Sequence, residues 1–280
     1  MAWIPLPISS NVSAFAADEA LVVVAHGRVL ELVVPDDELG HERWRTTSIK
    51  QLPGDARDLA LSGREVCAAL VDGTTRCLST GDDGDADWVV TGGVRDPVQL
   101  SSSCAITKAG NVACRLSDGE TRAKSATLVP GIKNAKRMAT PFVELADGKI
   151  VRVEFSDDRK WTVTPQPLLG KLANLSNGGY AWSSACGLRD GKAWCWLPWG
   201  GDHDSFGASG RDQMGRADFA TPAALDAIGP AIAVAAGNAH ACAIDKDGAL
   251  WCWGDDRGGG LGRGRVVHRT TPERVVGIGP

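Results

Sequence analysis

Tyrosine is almost missing from this chain, with one residue in 280. No apolar run approaches the roughly 20 residues that a membrane-spanning helix needs, so no membrane partner is expected. No segment repeats its apolar residues with helical periodicity. Basic residues are not in excess. The net charge is −4, which argues against the basic face of a nucleic-acid binder. There is no Cys-x-x-Cys, and with it go the zinc knuckle and the thioredoxin-type redox pair. Gly-x-Ser-x-Gly, a phosphate loop and His-Glu-x-x-His are absent too, so neither catalysis nor a cofactor nor a metal is expected. A secretion signal is not expected either. Ala14-Phe15-Ala16 resembles a cleavage site, but no Lys or Arg precedes Arg28, and Pro5, Pro7, Ser9 and Ser10 interrupt the apolar stretch. This slightly favours the cytoplasm, although eight cysteines, an even number, leave export open.

Other residues are plentiful. The chain is 43% hydrophobic and 23% charged, enough for a packed core in a single domain over 1–280, expected to be monomeric. It has 34 glycines and 10 tryptophans. The cysteines fall into pairs, each flanking a glycine: VCAALVDGTTRC, SCAITKAGNVAC, ACGLRDGKAWC and HACAIDKDGALWC. Two more copies, LVVVAHGRVLE and FVELADGKIVR, lack the cysteines. The repeated glycines are Gly27, Gly73, Gly110, Gly148, Gly191 and Gly248, spaced 46, 37, 38, 43 and 57 apart. Those periods belong to propeller blades.

Each copy reads as two strands around a tight turn. Around Asp190-Gly191 a two-residue loop pairs Arg189 with Lys192, and counting outward pairs Cys186 with Cys195. In the other three copies a three-residue loop ending in a glycine bulge, such as Val71-Asp72-Gly73, brings Cys67 opposite Cys77, Cys104 opposite Cys114 and Cys242 opposite Cys252. All four pairs then sit at non-hydrogen-bonded positions, where Cα atoms approach to about 4.5 Å. A disulfide accepts that distance. Pairs of reduced cysteines packed as small hydrophobes are the alternative, and would suit a cytosolic protein.

A short alternating strand precedes each hairpin, and a segment that is often proline-containing follows it, as in SATLVPG, TPQPLLG and TPERVVGIG. Proline suits an edge strand. Four strands per unit and six units give an all-β fold, a single β-propeller of six four-stranded blades. Seven blades are the alternative, because the N-terminal IPLPI looks like a further copy of TPERV.

The last copy has Gly237, His240, Gly248, Trp253-Gly254, Gly260-Leu261-Gly262 and Pro272. In these positions it resembles the regulator-of-chromosome-condensation repeat, and with Cys242 and Cys252 it is similar to bacterial members. About one third of the chain carries the likeness well. The resemblance implies a propeller that acts through contacts with another protein, by inhibiting an enzyme, by an immunity-like role, or by regulating a small GTPase. A glycan-binding propeller is the competing class, suggested by the tryptophans.

Function in repeat folds lives in loops that depart from the repeat. The largest departure is LPWGGDHDSFGASGRDQMG, in a connection longer than its counterpart in the last unit. Its candidates for partner contact are Trp199, Asp202, His203, Asp204, Phe206 and Arg211. Adjacent residues such as Asp202, His203 and Asp204 rarely converge on one ion. Asp82 to Asp87, DDGDAD, lacks the glutamate and helices of a calcium hand and reads as a solvated acidic turn.

Overall fold

The structure is a computed structural model. It describes residues 14–17, 21–25, 29–35, 44–62, 65–79, 89–116, 124–156, 158–178, 183–199, 207–211, 219–237, 239–255, 261 and 269–275; for 14–50, 61, 62 and 79 it describes the backbone alone.

These residues form six antiparallel sheets of four strands, each a simple meander in chain order. Sheet 1 is β1 (Ala14–Ala17), β2 (Leu21–Ala25), β3 (Val29–Pro35) and β4 (Trp44–Gln51). Sheet 2 is β5 (Ala56–Ser62), β6 (Glu65–Leu70), β7 (Thr75–Ser79) and β8 (Val89–Val90). Sheet 3 is β9 (Pro97–Ser101), β10 (Cys104–Thr107), β11 (Val112–Cys114) and β12 (Thr127–Leu128). Sheet 4 is β13 (Ala135–Ala139), β14 (Phe142–Leu145), β15 (Ile150–Phe155) and β16 (Trp161–Pro165). Sheet 5 is β17 (Ala173–Asn177), β18 (Ala185–Arg189), β19 (Lys192–Trp196) and β20 (Ala223–Ala224). Sheet 6 is β21 (Ala231–Ala236), β22 (His240–Asp245), β23 (Leu250–Gly254) and β24 (Arg269–Arg274). Among the described residues the helical content is one 3₁₀ turn, Pro167–Leu169. The six sheets are the six expected units. IPLPI and the turn around Gly27 lie outside the described residues.

The chain groups into two compact units. Of the described residues, one unit runs from Pro165 onward and takes in Asp147–Val151; the other comprises those up to Ala146 together with Arg152–Thr164.

The hairpin register agrees with the sequence. Arg189 pairs with Lys192 across Asp190-Gly191, both at positive φ (51° and 72°), as a two-residue mirror-image turn requires. At the longer turns the glycine N–H donates three residues back: Gly73 to Leu70 O (3.1 Å), Gly110 to Thr107 O (2.8 Å) and Gly248 to Asp245 O (3.0 Å). In the last turn Asp245 holds the chain further. Its Oδ1 accepts from the Asp247 and Ala249 N–H groups, and its Oδ2 accepts from the Trp251 indole N–H. The indole, then the backbone N–H of Ala249, keep this carboxyl below the usual carboxylate range.

All four cysteine pairs are opposite one another and joined as disulfides, with Cα–Cα distances of 4.1 Å for Cys67–Cys77, 4.0 Å for Cys104–Cys114, 4.2 Å for Cys186–Cys195 and 4.1 Å for Cys242–Cys252. These are the close distances of non-hydrogen-bonded pairs. Cys67–Cys77 and Cys186–Cys195 sit in the middle of apolar layers. Between sheets 2 and 3 the layer is Cys67, Cys77, Leu100, Val94 and five alanines. Between sheets 5 and 6 it gathers Cys186, Cys195, Leu225, Ile228, Val234 and the fully buried Trp253. Alanine and cysteine predominate because two sheets meeting face to face leave little room between their central strands.

Within each unit the first strands of consecutive sheets, β1 and β5, β5 and β9, β9 and β13, and β17 and β21, are not paired by backbone hydrogen bonds, yet they pack together. Two kinds of hydrogen bond close the seam. In the first, the carbonyl of a hairpin glycine accepts the N–H that leads into the next sheet: Gly73 O from Asp96 (3.0 Å), Gly110 O from Ala135 (2.9 Å) and Gly191 O from Ala231 (2.6 Å). In the second, a polar side chain on one first strand binds the backbone of the next. The Leu100 N–H donates to Asp58 Oδ2 (2.6 Å). Gln99 clamps Met138, donating to its carbonyl and accepting from its N–H, both at 2.9 Å. Two residues further along, the Thr140 N–H donates to Ser101 Oγ (3.0 Å), and at the matching place in the other unit the Ala236 N–H donates to Ser176 Oγ (2.9 Å).

Burial raises the Asp58 carboxyl above its ordinary pKa, against the smaller pull of the Leu100 and Leu59 N–H groups. A raised pKa means the folded chain holds this proton more tightly than the unfolded chain. The contribution to stability is therefore full below the ordinary value, about 3.9, and is lost as pH rises through the raised value. Asp58→Asn keeps the acceptor without the charge and is expected to match or exceed the wild type at pH 7. Asp58→Ala orphans the Leu100 N–H and should cost about 1–3 kcal/mol. Urea midpoints of the three proteins at pH 7 and pH 4 test this, with the wild type closing on Asp58→Asn at the lower pH.

Each disulfide spans a loop of only 9 or 10 residues. Its stabilisation should be about 2–3 kcal/mol in the loop-entropy view. Reduction is expected to lower the melting temperature while leaving the strand signal of far-ultraviolet circular dichroism unchanged. Non-reducing peptide maps should contain no link between sheets.

Candidate partner-binding site

The long connection after β19 is held at three points within its unit. At its root the Leu197 N–H donates to Phe219 O (2.8 Å), drawing the two ends of the insertion together. Leu197, Ala208 and Phe219 form a small buried cluster over that bond. Arg211 closes the same corner: its Nη2 donates to Phe219 O (3.0 Å), and its guanidinium lies 5.3 Å from the Phe219 ring centre. The third point lies within the loop. Gly207–Gly210 is buried, turned by a bond from the Gly210 N–H to Gly207 O (2.9 Å), and Ala208 O accepts the indole N–H of Trp253 (3.1 Å).

Gly207 explains why this segment reads FGASG. It has φ +72°, and a Cβ there would lie 2.6 Å from Thr270 Cα and 2.7 Å from Arg269 O on β24. The loop passes too close to sheet 6 for any side chain. The described parts of the insertion are thus built into the fold.

Trp199 behaves differently. It follows the buried Leu197 by two residues and leaves 42% of its surface exposed. Its position beside a fixed root fits an anchor: a large ring, few rotatable bonds, and a backbone already ordered. Of the sequence candidates, the structure therefore places Trp199 at the surface and Arg211 in the framework that supports it. Asp202, His203, Asp204 and Phe206 lie outside the described residues, as does DDGDAD.

The tryptophans beside the hairpin cysteines, Trp194, Trp196, Trp251 and Trp253, are mostly structural. Trp196 and Trp253 are 2% and 0% exposed, and Trp251 packs on the layer between sheets 5 and 6. Trp194 carries the Arg189 guanidinium 4.1 Å above its ring. His240 packs against Gly237, where a Cβ would meet its ring at 2.9 Å, and so it is a framework histidine. One group among the described residues has the spacing of metal ligands, Glu65 with Cys67 and Cys77. Its sulfurs are joined in a disulfide and its carboxylate is paired with Arg115, which leaves no thiolate for an ion.

Sequence reading missed the bridging residues Asp58, Gln99, Ser101 and Ser176. A signal existed, since in sheets 2 and 3 a polar residue directly precedes the buried leucine of the first strand, Asp58-Leu59 and Gln99-Leu100. It also missed the buried anchor at Gly207–Gly210, whose only mark is two glycines three apart.

The last unit is where these features meet a known pattern. Residues 231–259 match the regulator of chromosome condensation (RCC1) repeat. No curated protein matches the chain in sequence. Solved structures resemble it over nearly its whole length. Human WBSCR16 has a TM-score of 0.71 at 14% identity, covering 97% of this chain and 83% of that one. Yeast RCC1 (Prp20), in its complex with Kap60, has a TM-score of 0.67 at 15% identity, covering 93% and 74%. A second structure of Prp20, from Saccharomyces cerevisiae and described with its binding to Gsp1p and histones, gives 0.65 at 17% identity, covering 93% and 76%. The fold is a β-propeller with four-stranded antiparallel blades, similar to that of RCC1 proteins, and the six sheets are its blades. In the matched repeat Leu261 is 1% exposed and packs with Cys252 and Val275, so the Gly-Leu-Gly motif is framework here.

Gly207→Ala tests the loop anchor. The strained φ and the collision with Thr270 should lower stability by about 1–3 kcal/mol. Faster hydrogen exchange at the Trp253 indole N–H is expected alongside. An unchanged melting temperature and indole exchange rate would mean that the loop is not anchored there.

Proposed function

We propose that this propeller is a binding module without catalysis of its own, and that it contacts another protein through the connection after β19. The observation that carries the reading is the contrast inside that loop. The chain around Leu197, Phe219 and Gly207–Gly210 is buried, while Trp199 stands 42% exposed above it. Ordering an insertion costs about 1–2 kcal/mol per residue. A loop ordered in this way presents a fixed aromatic surface, and binding to it loses little further entropy. Trp199 supplies the apolar anchor. Arg211 positions the corner beneath it, and Asp202, His203, Asp204 and Phe206 are the proposed contacts around it. The similar yeast propeller Prp20 points the same way, since it is described with protein partners: Kap60 in one structure, Gsp1p and histones in the other. Inhibition of an enzyme, an immunity-like role and regulation of a small GTPase are finer versions of this reading.

A photo-crosslinking amino acid at position 199 identifies the partner in the native cell. The same residue at Leu168, which is also exposed but lies on the 3₁₀ turn of Pro167–Leu169, is the control. A crosslink specific to position 199 is expected, and the identity of the captured protein decides among the finer versions. With the purified pair, Trp199→Ala should weaken binding by about 2 kcal/mol, roughly thirty-fold, at an unchanged melting temperature. Equal affinity of variant and wild type would place the binding surface elsewhere.

A further inference from the structure

Blades 3 and 4 enclose a cavity that neither the repeat nor the loop after β19 accounts for. Its volume is about 290 Å³. One wall is aromatic, made by Phe155 and Trp161 with ring centres 4.8 Å apart and planes tilted by 59°. Met138, Pro141 and Val153 continue the apolar lining, and the far side carries a cation, Arg115. The size is at the small end of ligand pockets, which run from roughly 300 to 1,000 Å³, and suits a single ring with few substituents.

Arg115 gives the cavity its chemistry. Its side chain is 8% exposed. Nη1 donates to Glu65 Oε1 (2.9 Å), and Nη2 donates to Glu65 Oε2 and to Cys67 Sγ, the last at 3.2 Å. A guanidinium has five N–H groups. The Nε–H and the second Nη1–H of Arg115 have no acceptor among the described residues. Arg115 lines the cavity, so these N–H groups are available to an acceptor placed in it. Glu65 already balances the charge. The site therefore offers directed hydrogen bonds without a net positive field, and a neutral oxygen suits it better than a carboxylate. The aromatic wall and the sulfurs of Cys104 and Cys114 favour a ring as the body of the ligand.

We infer that this cavity is a binding site for one aromatic ring bearing a neutral oxygen acceptor, held between the Phe155–Trp161 wall and Arg115. The site is independent of Trp199 and stands whether or not that loop meets a partner. The ring is that of a free small molecule or of a tyrosine side chain on another protein.

Ligand-observed saturation-transfer NMR tests this on the full chain with benzamide, p-cresol, benzoate and toluene as probes. Benzamide and p-cresol are expected to bind saturably, and more tightly than benzoate or toluene. Phe155→Ala, at a half-buried position, should weaken benzamide by at least about five-fold. Arg115→Lys keeps a cation beside Glu65 but removes the Nε–H and the planar fork. It should abolish the preference for benzamide over toluene. Should that variant fail to fold, Phe155→Ala still decides. N-acetyl-tyrosine amide separates the sources: binding as tight as p-cresol supports a protein side chain, and exclusion supports a free ligand. Absence of saturable binding by benzamide and p-cresol, or equal binding by the wild type and Phe155→Ala, overturns the inference.

Discussion

The seam between consecutive first strands is the constraint on which this structure depends. Within a blade, backbone hydrogen bonds hold four strands together. Between blades the strand pairing among the described residues is one isolated bridge, Gly92 with Ser125, and the edge of each first strand would otherwise leave its N–H and C=O groups unsatisfied. Asp58, Gln99, Ser101 and Ser176 answer this with side chains that reach the neighbouring first strand. The hairpin glycines answer it with their carbonyls, at Gly73, Gly110 and Gly191. Each bond replaces a backbone partner that water would otherwise supply. Blades can thus pack closely enough for the alanine- and cysteine-rich layers to exclude solvent.

The disulfides fit this arrangement rather than create it. They link strands already paired, so they bring together no distant parts of the chain. Cysteine suits their position because it is small and apolar, in layers where leucine at every place would force the blades apart. Crowding adds to the demand for glycine at Gly73 and Gly110, though not at Gly191, where a Cβ would meet nothing within 4 Å. At Gly110 a Cβ would lie 2.9 Å from Asn134 Cα in the next blade. The turn needs glycine for its φ, and the neighbouring chain needs it for space.

Against this framework the loop after β19 and the cavity between blades 3 and 4 stand out for opposite reasons. The loop adds chain and uses most of its described part to fix itself to sheet 6, leaving one large aromatic exposed. The cavity lacks atoms where a packed interface would have them, and it is lined by a buried arginine with donors to spare.

The sequence by itself determined the strand content, the hairpin registers, the cysteine pairing and the number of repeats. All of these are local: a turn with two residues or three fixes which side chains face each other, and Asp190-Gly191 or Asp72-Gly73 states which turn it is. The exposed tryptophan of the longest loop was legible too, because an insertion in a repeat is visible as a break in spacing. Tertiary structure alone decided which polar residues bridge blades, since Asp58 and Leu100 are 42 residues apart and nothing in either strand names the other. It also decided that Arg211 supports the loop and that Gly207 passes against Thr270. The pairing of Arg115 with Glu65, 50 residues away, was likewise beyond the sequence. Local turn chemistry is written in neighbouring residues, whereas the fate of a buried polar group depends on which distant atoms the packing of sheets brings within hydrogen-bond reach.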